Sequence, residues 1–408
     1  MQLFESQRHV AGMHEGWDPA RVSAWLRGFA ADALAVAAER PWPAHPRDVE
    51  DAPEATGPFY SMYLGAFGVW LALVRLADAG DCRLPRPWVE IFEQLLKDYV
   101  RSPDTGERVA SWSLGESALL TACCLLAPDS SHCDELAASI RGNRDNPTRE
   151  ALWGAPGTML AALFMHEATG AERWAALFRD GVAALWGSWE YAADVGCWLW
   201  RQDMYGQQTR YVGAGHGWAG NLYPLWRGFA LLSASQQGAL RERTLQGLAA
   251  LADVDGDLAN WPPEAGKAGK LLVQWCHGAP GIITSLRHVD DPAVLPLIIK
   301  GGRLIVAAGP IIKGVALCHG TAGNGMALLE VYRRTGDAQW LAWAREFAMV
   351  AIRQSEADAS RYGQRRYSLW TGDAGLAWFL GDCLEGRSSG LPGLDRLWLA
   401  TGVGRGQR

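Results

Sequence analysis

The sequence predicts an all-α fold: an α/α toroid of seven helical hairpins, with seven inner and seven outer helices. Three observations predict it. First, a glycine, two residues, then glycine or alanine recurs seven times, each time ahead of an apolar run. The copies are Gly65/Gly68, Gly115/Ala118, Gly154/Gly157, Gly217/Gly220, Gly278/Gly281, Gly320/Gly323 and Gly372/Gly375. Second, two copies match further. Thr169-Gly170 and Thr335-Gly336 each begin 12 residues past the second glycine, and Trp174 and Trp340 lie 17 past it. Self-similarity along a whole chain marks a repeat architecture. Third, the run after each glycine pair is apolar nearly all round, whereas the segment after it is one-sided, as in Trp174, Leu177, Phe178, Val182 and Leu185. The first kind of helix is buried, and the second packs outside it.

Successive hairpins make an open solenoid or a closed ring. The copies are spaced 50, 39, 63, 61, 42 and 52 residues, and no polar capping repeat stands at either end, so closure is the expectation. The glycines then mark the inner helix starts, through close backbone approach and positive φ. The second copy reads LGESA, so its turn is expected to differ.

Around the ring, residues 1–57 are expected to supply a helix (Ser23–Glu39) and a proline-rich link. Residues 58–385 form the seven repeats, and 386–408 form a flexible Gly- and Arg-rich tail. With 408 residues, 49% apolar and 20% charged, the chain can bury a large core. A net charge of −6 argues against nucleic acid as the main partner. The N-terminus has no apolar signal region, and no stretch approaches a membrane span. Eight scattered cysteines are no disulfide framework, so a cytoplasmic protein with reduced thiols is expected.

If the inner helices run parallel, the glycine turns meet at one end. Helix N-termini there favour anions and thiolates. The residues just ahead of the first glycine are Gly215-His216 in copy four, Cys276-His277 in copy five and Cys318-His319 in copy six. Two Cys-His pairs at matched positions suggest zinc, which thiolates and imidazoles favour over harder cations. Spacing leaves two arrangements open. All four residues ligate in a closed structural site, or three ligate and one position takes substrate.

The segments WCHGAPG (Trp275–Gly281), LCHGTAGNG (Leu317–Gly325) and YVGAGHGWAGN (Tyr211–Asn221) resemble the lanthionine synthetase C-like family. ALWGAPG and YSLWTGDAGLAWFL agree in order, so the resemblance spans roughly residues 58–385. It implies the seven-fold toroid and a zinc ion held by Cys276, Cys318 and His319, with the fourth position for water or a substrate thiol. It implies His216 as the catalytic acid and Glu150 in the place of an acidic residue the cyclases use. His277 stands beside the metal or faces substrate. Lys313 matches a glutathione-contacting lysine, and Arg366 is a looser candidate for that role. Where the cyclases carry an arginine before the first zinc cysteine, this chain has Leu272, Val273 and Gln274.

The implied reaction is Michael-type addition of a thiol to dehydroalanine or dehydrobutyrine in a peptide or protein, with glutathione as one possible thiol. The alternatives are a lanthipeptide cyclase that closes intramolecular rings, and a non-catalytic zinc-stapled scaffold that binds glutathione or peptides. A prenyltransferase would want an Asp/Cys/His zinc set and a basic diphosphate pocket, which the Cys-Cys-His set disfavours.

Overall fold

The computed structural model describes residues 2–10, 15–49, 57–128 and 130–397. Part of the linker, 50–56, and the end of the tail, 398–408, lie outside them. Among the described residues the chain forms fourteen α-helices, and the expected hairpins are present. They are α2 (Ala66–Asp78) with α3 (Trp88–Arg101), α4 (Ser117–Leu126) with α5 (His132–Asn143), and α6 (Ala155–Thr169) with α7 (Glu172–Gly187). Then come α8 (Trp218–Arg227) with α9 (Ala234–Ala250), α10 (Ala279–Ser285) with α11 (Leu295–Ala308), and α12 (Thr321–Thr335) with α13 (Ala338–Tyr362). The last inner helix is α14 (Asp373–Glu385), and the first helix of the chain is α1 (Pro19–Glu39).

The chain divides into two compact units. One comprises Met1–Ala11, Ala110–Trp112 and Ala137–Gly309. The other comprises Gly12–Val109, Ser113–Leu136 and Pro310–Arg408.

In the second unit the turns follow one another through backbone hydrogen bonds. Cys318 N–H donates to Trp370 O at 2.9 Å, Trp370 N–H to Tyr63 O at 3.1 Å, and Tyr63 N–H to Ser113 O at 2.9 Å. The sixth, seventh, first and second turns therefore stand in succession, and α14 packs on both α12 and α2. The outer helix beside α14 is α1, from the other end of the chain. It starts four residues earlier than Ser23, because Asp18 caps the N–H groups of Ala20 and Arg21 and Pro19 pre-sets the first turn. Its buried face is Val22, Trp25, Leu26, Phe29, Ala30 and Ala33, at helical spacing. The stretch expected to be loose after Glu385 is pinned as far as Leu397. Trp378 Nε1–H donates to Gly390 O at 3.0 Å, Ser389 N–H donates to Asp382 at 2.8 Å, and Leu391 and Leu397 are buried. Burial of these apolar side chains offsets freedom the chain loses on ordering.

In the first unit α8 packs between α6 and α10. Three antiparallel hairpins break the helical pattern: β1 (Trp189–Ala192) with β2 (Cys197–Trp200), β3 (Gln202–Met204) with β4 (Gln207–Thr209), and β5 (Asp253–Asp255) with β6 (Leu258–Asn260). They fill the two longest spacings between glycine turns.

The glycines serve close approach more than positive φ. A Cβ on Gly281 would lie 1.9 Å from Trp275 O, and one on Gly323 1.9 Å from Leu317 O. Among the first glycines of the copies, only Gly278 is left-handed, at φ 114°. In the second copy α4 begins after Glu116 in ordinary helical backbone instead of an extended glycine cap.

Candidate active site

Glu150, His216, Cys276 and His277 lie in the first unit, on the turns that open α6, α8 and α10. Glu150 is fully buried. Its carboxylate accepts from Leu152 N–H at 3.0 Å and Trp153 N–H at 2.5 Å, and from His216 Nδ1–H at 3.0 Å. Burial works against charge on His216. The hydrogen bond to Glu150 and the negative charge of Glu150 and Cys276 outweigh it, so the pKa rises above the ordinary 6.5. With Nδ1 committed to Glu150, Nε2 is the edge that can pass a proton.

His277 lies beside His216, ring centroids 5.9 Å apart, and Tyr211 stands edge-on to it at 5.4 Å. Burial, with His216 close by, pushes His277 down to about 4, so it is neutral at pH 7. Cys276 is buried, and its carbonyl accepts from Gly215 N–H at 3.4 Å, which ties the fourth turn to the fifth. Gln274 Nε2 donates to Cys276 Sγ at 2.9 Å.

Cys318, His319, Lys313 and Arg366 lie in the second unit. Cys318 is buried on a turn held by its bond to Trp370. Burial, together with the cations Lys313, Arg366 and Arg47, pushes His319 down to about 3, leaving its imidazole neutral with a lone pair to offer a metal. Lys313 is exposed, and its carbonyl accepts from Arg47. Arg366 is committed elsewhere. Its Nε donates to both oxygens of Asp48 at 3.0 Å, and Thr371 Oγ1–H donates to Asp48 at 2.8 Å. Arg47 is likewise paired, with Asp358 at 2.7 Å. Of the three cations, only Lys313 points outward without an ion pair among the described residues.

Among the described residues, Cys276 in the first unit and Cys318 and His319 in the second offer donor atoms of the types that hold a metal ion. Two thiols and a neutral imidazole suit zinc, and a three-residue set leaves a coordination position over. No disulfide engages any of the eight cysteines.

Residues without a predicted role also contribute. Tyr211 packs edge-on against His277, and Asn221 donates to the carbonyl of Arg149. Arg47 and Asp48 lie in what was read as a link, where no motif marks them. Asp373, at the start of α14, is buried and accepts from Ser355 Oγ–H at 2.6 Å.

Helical hairpins opened by glycine turns, two of which carry Cys-His pairs, define an α/α protein with candidate metal-binding residues. The family model for lanthionine synthetase C-like proteins matches residues 59–395, and the chain belongs to that family. It is 32% identical over 192 residues to the zebrafish (Danio rerio) glutathione S-transferase LANCL1, covering 44% of each chain. It is 32% identical over 202 residues to LanC-like protein GCL1 of Arabidopsis thaliana, covering 46% of this chain and 44% of that one. The chain thus spans less than half the length of these curated relatives. The solved structure of nisin cyclase matches at a TM-score of 0.59 and 16% identity, over 87% of this chain and 96% of that one. The expected α/α toroid is the fold this similarity shows.

Proposed function

We propose that the protein forms thioether bonds by adding a thiol to dehydroalanine or dehydrobutyrine in a peptide or protein, with zinc held by Cys276, Cys318 and His319. The observation that carries this reading is the pair of buried Glu150 with His216, whose own turn hydrogen-bonds to that of Cys276. It is supported by the donor set and by a relative named glutathione S-transferase. Bound zinc supplies a Lewis acid that makes a thiol a thiolate at neutral pH.

The chain's own residues account for the rest. As sulfur bonds to the β-carbon, charge moves onto the acceptor carbonyl, and the α-carbon then needs a proton. His216, kept protonated by Glu150, delivers that proton from Nε2. The proton lost by the thiol balances it, so the addition needs no oxidant or reductant. Glu150 fixes the tautomer and ring orientation, as buried carboxylates do for catalytic imidazoles. Neutral His277 and Tyr211 wall the site. Gln274 donates to the Cys276 sulfur, stabilising its thiolate form. Lys313 offers a charge to a carboxylate of the incoming thiol, glutathione being one such thiol. Arg366 acts through Asp48 to hold its turn. Reduced cysteines fit a cytoplasmic protein, and no described helix is long and apolar enough to cross a membrane.

The test is to incubate the zinc-loaded protein with a dehydroalanine peptide and glutathione and follow peptide mass. A product heavier by one glutathione, absent with Cys318→Ala, is expected. Ring closure of the peptide's own cysteine without mass change would point instead to a cyclase, the activity of the structural neighbour's name. No product of either kind would leave a zinc-stapled binding scaffold.

A further inference from the structure

We infer that Asn221 is a positioning residue whose side-chain amide locks the left-handed backbone of Arg149 and so sets Glu150 against His216. Arg149 has φ 44°, and only one other non-glycine among the described residues, Tyr205, has positive φ. Backbone of this kind persists only where its surroundings hold it. The carbonyl of Arg149 accepts from Asn221 Nδ2–H at 2.9 Å. Asn221 is fully buried in α8, five residues past His216. Glu150, the residue after the kink, accepts from His216 at 3.0 Å. The segment that begins with His216 therefore grips residues 149–150 twice, once by an amide on the backbone and once by an imidazole on the carboxylate.

Packing alone does not account for Asn221. Its Oδ1 is buried with no partner among the described residues. A side chain kept only to fill space would do better apolar, since a buried polar atom without a partner is penalised. Nor does Glu150 need help to orient its carboxylate, which bonds the N–H groups of Leu152 and Trp153 in its own turn. What those bonds leave open is where that turn sits, and the Arg149 kink decides it.

The proposal rests on the proposed function only for the chemistry given to the His216–Glu150 pair, and a spectrum reads that pair without turnover. In the zinc-loaded full chain labelled with 15N-histidine, the hydrogen-bonded His216 Nδ1–H gives a protected proton signal, assigned by its loss in His216→Gln. Asn221→Ala should abolish that signal. It should also lower kcat for thiol addition about tenfold to a hundredfold with KM little changed, the size expected when a catalytic group is slightly misplaced. Adding Arg149→Gly to that variant should restore both, because glycine adopts the left-handed conformation unaided. A signal that survives Asn221→Ala, or that Arg149→Gly does not restore, overturns the inference. If Asn221→Ala fails to fold, Arg149→Val at its exposed position carries the test, since a β-branched side chain resists positive φ. There too a surviving signal overturns the idea. Should the signal respond as expected while no protein, wild type included, adds thiol, the proposed function fails and the positioning role stands.

Discussion

Trp370 donates its backbone N–H to the carbonyl of Tyr63 at 3.1 Å, so the last glycine turn hydrogen-bonds to the first. Helix α1 completes the seventh hairpin from the opposite end of the chain. Its aromatic face is therefore core. Phe29 is fully buried, stacked on Trp25 at 5.6 Å. Phe29→Ala should lower unfolding free energy by about 3–5 kcal/mol, as truncation of a core aromatic does. Denaturant melts measure it, and a loss below about 1 kcal/mol would place α1 outside the core.

The Glu150–His216 pair gives a pH prediction. His216 titrates above 6.5 in the folded protein, so its stabilising charge is fully present below 6.5 and lost as pH rises through the raised pKa. An acid that must be protonated loses activity over the same range. Glu150→Gln removes the partner charge, so the alkaline limb of the rate profile should move to lower pH. An unmoved limb would separate His216 from the proton transfer.

Zinc content tests the donor set directly. Elemental analysis should find about one zinc per chain, and Cys276→Ala or Cys318→Ala should lose most of it. Cys82 is the control. Burial pushes its thiol up to about 11, and Cys82→Ala should keep the metal.

His45 links the fold to acid sensitivity. Burial, then the neighbouring Arg366, pushes it down to about 4, and its Nδ1 must stay unprotonated to accept from Arg47 N–H at 3.2 Å. The contribution of a group with a depressed folded pKa is whole above about 6.5 and is lost as pH falls from there toward 4. His45→Asn keeps an acceptor at this cap and does not titrate. It should flatten the acid fall in melting temperature, and an unchanged slope between pH 6.5 and 4 would exclude His45 as a source.

Gly323 stands where a Cβ would meet Leu317 O at 1.9 Å. Gly323→Ala must push back the turn that carries Cys318 and His319. Stability should fall by roughly 2–3 kcal/mol, and zinc affinity should fall with it. Calorimetry with and without a chelator reads both effects.

Particular residues show what sequence can and cannot reveal. The inner helices were legible because α2 and α6 are apolar nearly all round, a pattern that marks a buried helix. The candidate metal ligands stand out in the sequence because Cys276-His277 and Cys318-His319 occupy one repeat position. The β-hairpins were hidden because strands of three or four residues are too short for a period of two to show. Their excess length did register, as the two widest spacings. Asp48 and Arg366 are 318 residues apart, and no local pattern announces an ion pair set by tertiary packing. Residues 386–397 looked loose by composition, yet Leu391 and Leu397 find a core there.

The placement of α1 beside α14 also bears on birth at the ribosome. Helix α1 is made more than three hundred residues before the α14 it packs against. Until then Trp25 and Phe29 face water on a nascent chain, where sticky surfaces invite capture by chaperones or by neighbouring copies. Synthesis that stalls before Asp373 would strand the polypeptide in that unfinished condition.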